Sequence, residues 1–322
     1  MEHQHDSGAA AHAHGHSHSH AHAAGHSHSH VPADFGTAFA IAAVLNVALI
    51  VAQVIVGLAA NSIALLADAG HNLGDVLGLL LAWAAHVLAR RQPTERYTYG
   101  FRSASILAAL FNAVTLLIAT GAIVWEALRR MSDPGEVAGG AVIAAATAGV
   151  VVNGFSAWLL MRGHRDDLNV RGAFLHLLAD AGVSVGVVLG GIVILMTGWN
   201  LIDPILSLLI SVVIVWGTWN LLRESTQLAM NAVPSRIVAS EVRESLAQLP
   251  GVVSVHDLHI WAMSTTEIAL TAHLVMPSGH PGDAFLVETC HMLDHRFGIA
   301  HPTLQIELSD AGACALEPAH IV

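Results

Sequence analysis

The sequence predicts an all-α transmembrane bundle of six helices, followed by a small α+β domain. Of its 322 residues, 54% are hydrophobic and only 11% are charged, which is less than half of the charged fraction usual in soluble domains. Six long apolar runs follow one another, and the composition becomes that of a soluble domain only after Leu222. The formal charge of −11, with 13 arginines and no lysine, excludes a nucleic-acid binder.

Residues 1–36 form a segment dominated by histidine. They hold 11 of the 23 histidines, mostly at alternate positions, and the hexapeptide GHSHSH occurs at 15–20 and again at 25–30. Apolar side chains are too few to offset the entropy cost of ordering, so we expect a disordered cytoplasmic tail. Alternating imidazoles can hold a borderline-soft cation in several registers, which favours a metal-gathering arm over an inert solvated tail.

The apolar runs predict a transmembrane domain over residues 37–222. Each run is long enough as an α-helix to cross about 30 Å of hydrocarbon. With the N-terminus inside, eleven of the thirteen arginines fall in cytoplasmic segments, and only Arg129 and Arg130 fall outside. The positive-inside bias therefore predicts a multi-pass cell-membrane protein with both termini in the cytoplasm. The runs are 37–60, 63–89, 104–125, 137–161, 173–196 and 201–222.

Residues 223–322 predict a small cytoplasmic domain of α-β-β-α-β order. An amphipathic stretch comes first and ends at Pro250 and Gly251, a pair that stops a helix. Runs rich in β-branched residues then alternate with a second helical stretch. The predicted strands are 252–262, 266–276 and 303–308, and the second helix is 283–297.

Ionisable side chains inside the apolar runs concentrate on the second and fifth helices. Each one costs about 2.5–3.5 kcal/mol at a helix centre, so each needs a partner. His71 and Asp75 on helix 2 share a His-x-x-x-Asp spacing with His176 and Asp180 on helix 5, and this spacing places each pair on one helix face. Two facing pairs supply two imidazole nitrogens and two carboxylate oxygens, a set suited to tetrahedral Zn²⁺.

Asp68 is a rival for the helix 2 carboxylate. The segment LLADAG occurs at 65–70 and again at 177–182, which aligns Asp68 with Asp180. Interhelical hydrogen bonding alone explains one buried histidine, but it does not require the same spacing twice. The residues therefore favour a metal site over packing contacts and leave both Asp68 and Asp75 as candidates.

These features together resemble the cation diffusion facilitator family, in its bacterial zinc, cadmium and cobalt efflux branch. The resemblance rests on ALLADAGHNLGD at 64–75, RGAFLHLLADAG at 171–182, the six helices, the histidine-rich segment and the C-terminal α/β domain. It implies a homodimer in the bacterial inner membrane that exchanges divalent metal for protons. It also implies a ferredoxin-like, metallochaperone-like fold for the cytoplasmic domain. The transport ligands that it implies are His71, Asp75, His176 and Asp180, and not Asp68.

The resemblance also implies regulatory zinc ligands in the cytoplasmic domain. Strand alternation places His256 and His259 on opposite faces, so at most one of them joins a given cluster. His291, on the second helix of the domain, is a further candidate, and ordinary surface histidines are the alternative. The matching positions are His256, His273, His301 and Glu307.

Export driven by protons is the function that these sites predict. Moving Zn²⁺ outward against a negative-inside potential costs about 4.6 kcal/mol per 100 mV, so export must be driven. Metal binding requires neutral imidazole and ionised carboxylate, so protons compete with the metal for the same ligands. We therefore expect a Zn²⁺/proton antiporter that also accepts Cd²⁺ or Co²⁺, without an organic cofactor.

Two other classes of protein were weighed against a transporter. An intramembrane metalloenzyme is disfavoured because the sequence has no HExxH motif, and four protein ligands leave no position for a water molecule. A membrane protein that stores or senses metal without transporting it is the alternative, although such a protein does not need ligands at membrane depth.

Overall fold

The computed structural model describes residues 35–160 and 168–308. The first part of this described chain is a bundle of six long helices. The histidine-rich tail predicted over 1–36 lies outside the described residues except for its last two, Phe35 and Gly36, which already belong to the first helix. The helices are α1 Phe35–Ala59, α2 Ile63–Ala89, α3 Ala104–Ser132, α4 Gly139–Leu160, α5 Leu168–Thr197 and α6 Ile202–Ala229.

Five of these helices, α2 to α6, are long and apolar enough to span a membrane, and the described apolar part of α1 is Val44–Ala59. The chain is therefore a multi-pass membrane protein, while the sixth span remains a prediction. Three helices extend well beyond the predicted runs, since α3 continues to Ser132, α6 continues to Ala229 and α5 begins at Leu168. In α3 the continuation is stabilised by an i,i+4 ion pair between Glu126 and Arg130 at 2.9 Å. Hydropathy predicts the membrane-spanning part of a helix, but it does not predict the residue at which the helix ends.

Helix α2 lies at the centre of the bundle, in contact with α1, α3, α5 and α6. Its face toward α3 carries glycines, which let the two backbones approach closely. A Cβ atom on Gly74 would lie 2.6 Å from Leu116, and one on Gly78 would lie 2.9 Å from the side-chain amide of Asn112. Glycine at these two positions therefore fixes the distance between α2 and α3.

The N-terminus of α2 is held by a buried carboxylate from α6. Asp203 accepts hydrogen bonds from the backbone N–H groups of Ile63 (2.7 Å) and Ala64 (3.3 Å) and from the Ser62 hydroxyl. Ser62 is also the N-cap and accepts a bond from the Leu65 N–H. The first turn of a helix has unpaired N–H groups and a partial positive charge, so a carboxylate is stabilised there. This contact sets the depth of α2 relative to α6.

The C-terminal domain has the predicted α-β-β-α-β order. Its sheet has the order β1-β2-β3, with β1 and β2 antiparallel and β2 and β3 parallel. A buried core that includes Leu246, Leu270 and Leu293 lies between the sheet and the two helices. The second helix ends at Gly298, which adopts the left-handed conformation (φ 68°) common at helix C-termini. The elements are α7 Ala239–Ala247, β1 Ser254–Ala262, β2 Ile268–Val275, α8 Asp283–Phe297 and β3 His301–Glu307.

The turn between β1 and β2 docks on the bundle where α2 ends and α3 begins. This junction places the C-terminal domain at the end of the bundle to which α2 points. It consists of an ion pair from Arg102 to Glu267 (2.6 Å), a hydrogen bond from the Ser103 hydroxyl to the Met263 carbonyl (3.2 Å) and one from the Thr265 N–H to the Ser105 hydroxyl (3.1 Å).

Replacing Asp203 with alanine is expected to lower the stability of the bundle. The substitution leaves two buried N–H groups at the start of α2 without an acceptor, which costs about 1–3 kcal/mol. The measurement is the midpoint of thermal unfolding of the purified protein in detergent, followed by tryptophan fluorescence. Asp133→Ala, at an exposed position after α3, is the control. An equal midpoint for both variants would contradict the role assigned to Asp203.

Candidate metal centres

The four predicted transport ligands come together between α2 and α5. Each imidazole faces the carboxylate of the other helix: His71 Nε2 lies 3.3 Å from Asp180 Oδ1, and His176 Nε2 lies 3.1 Å from Asp75 Oδ2. The pairs within each helix are 3.9 Å apart for His71 and Asp75 and 3.6 Å apart for His176 and Asp180. The two rings meet edge to face at 5.9 Å.

Three of the four ligands are close enough to share a small cation. Zinc bonds to nitrogen and oxygen of about 2.0–2.1 Å imply ligand atoms about 3.3 Å apart around a tetrahedron. The four nitrogen-to-oxygen separations of 3.1–3.9 Å bracket this value. One ligand atom from each of His71, Asp75 and Asp180 lies within 4.8 Å of the others, whereas His176 contacts the two carboxylates without joining that group. Neutral imidazole nitrogens alternate with negative carboxylate oxygens around the group. The negative charges of Asp75 and Asp180 would therefore balance the two positive charges of a divalent cation bound between them.

The site is open on one side. The side chains of Asp180 and His71 are 5% and 18% exposed, whereas those of Asp75 and His176 are 32% and 47% exposed. On both helices the more exposed ligand lies nearer the end of the bundle that carries the C-terminal domain. The exposed part of the site therefore lies toward that end of the bundle.

Asp68, the rival ligand, points to a different set of partners. Its Oδ2 accepts hydrogen bonds from Gln53 Nε2 on α1 (2.6 Å) and from the Ser184 hydroxyl on α5 (3.1 Å). All three side chains are fully buried. The structure thus places Asp75, and not Asp68, beside the two histidines. The sequence pattern had no signal for Ser184, because serine is common at helix contacts in membranes.

A second cluster of ligands lies on the sheet of the C-terminal domain. His256 on β1 and His273 on β2 are cross-strand neighbours with rings 5.1 Å apart. Glu307 at the end of β3 joins both, at 3.3 Å from His256 Nε2 and 2.9 Å from His273 Nδ1. One ligand atom from each of the three lies within 4.8 Å of the others. Two imidazoles and a carboxylate of this spacing fit a zinc ion.

Asp257 is a further acidic residue of this cluster that the sequence pattern missed. Strict alternation would point it away from His256 and His273, but β1 has a bulge between His256 and His259, and Asp257 adopts a positive φ of 49°. Its carboxylate lies 2.8 Å from His259 Nε2 and 3.4 Å from His273 Nε2. The bulge reorients the side chain, so His259 is linked to the cluster through Asp257.

His301 does not lie in the cluster that the other three predicted ligands form. It begins β3 while Glu307 ends it, so at about 3.3 Å per residue the two lie roughly 20 Å apart, and sharing a face does not bring them together. His301 instead contacts the ring of Tyr99, in the α2–α3 loop, at 5.6 Å. The additional candidate His291 lies on α8 against His295, at 6.5 Å between ring centres.

Comparison with known families and proteins shows extensive similarity. The model of the cation efflux transmembrane domain matches residues 39–228, and the model of the cytoplasmic domain of cation efflux proteins matches residues 234–309. The zinc transporter ZitB of Escherichia coli K12 is 38% identical over 79% of this chain and 82% of its own.

Two further relatives have similar coverage. The metal cation efflux system protein CzcD of Cupriavidus metallidurans is 36% identical over 84% of this chain and 85% of its own. The cadmium, cobalt and zinc/H⁺-K⁺ antiporter of Bacillus subtilis is 34% identical over 79% of this chain and 83% of its own. These similarities span both the bundle and the C-terminal domain.

Zinc binding by the C-terminal domain is expected to require His256 and not His301. In a full-length Asp180→Ala background, which removes the intramembrane site, His256→Ala should lower zinc affinity of the sheet cluster at least about tenfold, because a ligand of the zinc ion is lost. His301→Ala is the matched control, since it removes an imidazole from the same sheet. Isothermal titration calorimetry in detergent measures both. Equal losses would place His301 back in the cluster.

Proposed function

The chain belongs to the cation efflux family of membrane transporters, and on that premise we propose that it exports Zn²⁺ from the cytoplasm by proton-coupled antiport. The observation that carries the proposal is the His71, Asp75, His176 and Asp180 set, with nitrogen-to-oxygen distances of 3.1–3.9 Å inside a membrane-spanning bundle. Ionisable groups at this depth are costly, so four of them facing one another indicate a cation pathway.

Zinc is the substrate that the donor set favours. Two imidazoles with two carboxylates suit Zn²⁺ and its borderline-soft neighbours Cd²⁺ and Co²⁺, whereas an all-oxygen set suits Mg²⁺ or Mn²⁺. The names of the relatives agree with this choice: one is a zinc transporter and another a cadmium, cobalt and zinc antiporter. The family consists of transporters and not of enzymes, and four protein ligands leave no open position for catalysis on the metal.

Protons are the counter-ion that the ligands select. His71 and His176 bind zinc only in the neutral form, so a proton and the metal exclude each other at each imidazole. Export against a negative-inside potential costs about 4.6 kcal/mol per 100 mV. Proton uptake by the empty ligands on the outer side releases the metal, and proton release on the inner side restores the site. The Bacillus subtilis relative is named as a cadmium, cobalt and zinc/H⁺-K⁺ antiporter, which includes protons among its counter-ions.

The C-terminal domain lies in the cytoplasm in this proposal, as the description of the matching family model states for that family. With six spans, the N-terminus and its histidine-rich segment lie on the same side, and the open face of the transport site points inward.

Zinc at His256, His273 and Glu307 regulates export, and two copies of the chain form the transporter. A storage protein would have no use for the intramembrane ligands, so transport is the better account of them.

Loss of one transport ligand is expected to abolish zinc flux. Asp180→Ala removes a carboxylate and one corner of the tetrahedron, and its effect on midplane zinc affinity should exceed about 100-fold, because even indirect partners of a metal are worth about 10–100-fold. The measurement is zinc counterflow in proteoliposomes with an imposed pH gradient.

The control for this experiment is Asp133→Ala, outside the bundle, which should retain wild-type flux. Both variants must elute as folded protein from a gel-filtration column. Zinc flux at the wild-type rate in Asp180→Ala would contradict the proposed transport site. A zinc flux in wild type that is the same with and without the pH gradient would contradict proton coupling.

Replacing His71 with aspartate is expected to relax selectivity toward Mn²⁺. The change converts two nitrogens and two oxygens into one nitrogen and three oxygens, which suits harder cations. It also replaces a group with an ordinary pKa of about 6.5 by one of about 3.9, so the pH dependence of transport should move toward acid. Competition of Mn²⁺ and Cd²⁺ against Zn²⁺ uptake, measured at several pH values, tests both effects. An unchanged selectivity order and pH profile would remove His71 from the metal ligands.

A further inference from the structure

A buried polar cluster lies one helical turn beyond the transport ligands, on the side away from the C-terminal domain. Its centre is Asp68, three residues before His71 on α2, and its partner Ser184 follows Asp180 by four residues on α5. Gln53 from α1 completes it. Gln53 Nε2 and the Ser184 hydroxyl donate to the same carboxylate oxygen, Oδ2, at 2.6 and 3.1 Å. None of the three side chains is accessible to solvent.

The charge of Asp68 lacks the compensation that Asp203, another buried aspartate of the bundle, has. Asp203 faces two backbone N–H groups and the positive end of α2, whereas Asp68 faces an amide and a hydroxyl. Among the residues that the structure describes, the side-chain partners of Asp68 are Gln53 and Ser184, and no arginine pairs with it. The sequences of α1 and α4 contain no titratable residue, α5 contains Arg171, His176 and Asp180, and α2 contains His71, Asp75 and His86.

Asp68 is left without a counter-charge when the transport site is empty. Asp75 and Asp180 then have only the two imidazoles to pair with, so a third carboxylate adds an uncompensated negative charge in the membrane, whereas bound Zn²⁺ brings two positive charges one helical turn away. Such a charge is expensive unless it gains a cation. Oδ1 of Asp68 has no hydrogen-bond partner among the described residues, whereas both donors bond to Oδ2. Oδ1 is therefore the oxygen open to a proton.

We propose that Asp68, held by Gln53 and Ser184, is a proton-binding site separate from the metal ligands that adds a proton to the exchange. A divalent cation one helical turn away favours the carboxylate, and its departure favours the carboxylic acid. Binding of zinc breaks the O–H bond at Oδ1 and releases that proton, and release of zinc allows a proton to bind there again. This inference rests on the proposed antiport and specifies one of its proton carriers.

The test is the number of protons released when zinc binds to the full-length protein. Isothermal titration calorimetry in buffers of different ionisation enthalpy gives this number, at a pH of about 6.5, near the ordinary pKa of histidine. Asp68→Asn keeps the size and the donors of the cluster but cannot bind the proton. We expect it to release up to about one proton fewer than wild type while zinc affinity at alkaline pH changes less than about threefold.

Two controls isolate the effect. Asp203→Asn changes a buried aspartate outside the transport site and should leave the proton count at the wild-type value. In an Asp180→Ala background, where the transport site is lost, Asp68→Asn should have no effect on the protons released by the remaining zinc sites. This double substitution separates coupling to the transport site from any general change in the protein.

The outcomes distinguish this inference from the proposed function. An unchanged proton count in Asp68→Asn with normal zinc binding overturns the inference alone. Loss of zinc binding in a folded Asp68→Asn protein also overturns it, because Asp68 would then be a metal ligand. If wild type shows no zinc-linked proton release that Asp180→Ala removes, the proposed antiport fails and the inference with it.

A second variant covers the case in which Asp68→Asn does not fold. Gln53→Met removes one donor to Oδ2 and so disfavours the ionised carboxylate. The pH at which the additional proton is released on zinc binding should then rise. An unchanged pH profile of proton release in Gln53→Met overturns the inference.

Discussion

The cost of placing a charge in hydrocarbon is the constraint on which the rest of this structure depends. A charged group at the centre of a membrane helix costs several kcal/mol unless it has a partner, and the bundle holds its aspartates in three different ways. Asp203 uses the N-terminus of α2, Asp180 faces two imidazoles, and Asp68 receives only neutral donors. The first is structural, the second belongs to the proposed cation site, and the third is the proposed proton-binding site.

The position of α2 follows from the same constraint combined with close packing. Asp203 fixes its first turn against α6, and Gly74 and Gly78 fix its distance from α3. Because hydrocarbon provides no hydrophobic drive between helices, these small residues and buried polar contacts carry the association. His71 and Asp75 lie on the part of α2 that these contacts hold, so the nitrogen-to-oxygen distances of the cation site are set by packing around it.

The length of the apolar runs was enough to predict the six long helices. The repeated His-x-x-x-Asp spacing predicted facing ligands on α2 and α5, but it left Asp68 and Asp75 as alternatives, and only the family resemblance favoured Asp75. Other features depend on tertiary contacts that no local pattern encodes. The extension of α3 past its span, the bulge that turns Asp257 toward His273, and the separation of His301 from Glu307 belong to this group. A shared strand face determines direction but not distance, which is why the sequence pattern does not reveal that His301 lies apart from Glu307.

The two metal centres are joined by continuous contacts. The sheet that carries His256 and His273 ends in the β1–β2 turn, which bonds to the start of α3, and α3 packs on the glycine face of α2. The Arg102 and Glu267 side chains of the junction are each 41% exposed, and such pairs contribute at most about 1 kcal/mol. The ion pair alone therefore does not hold the C-terminal domain on the bundle. The hydrogen bonds of Ser103 and Ser105 to the β1–β2 turn share that role.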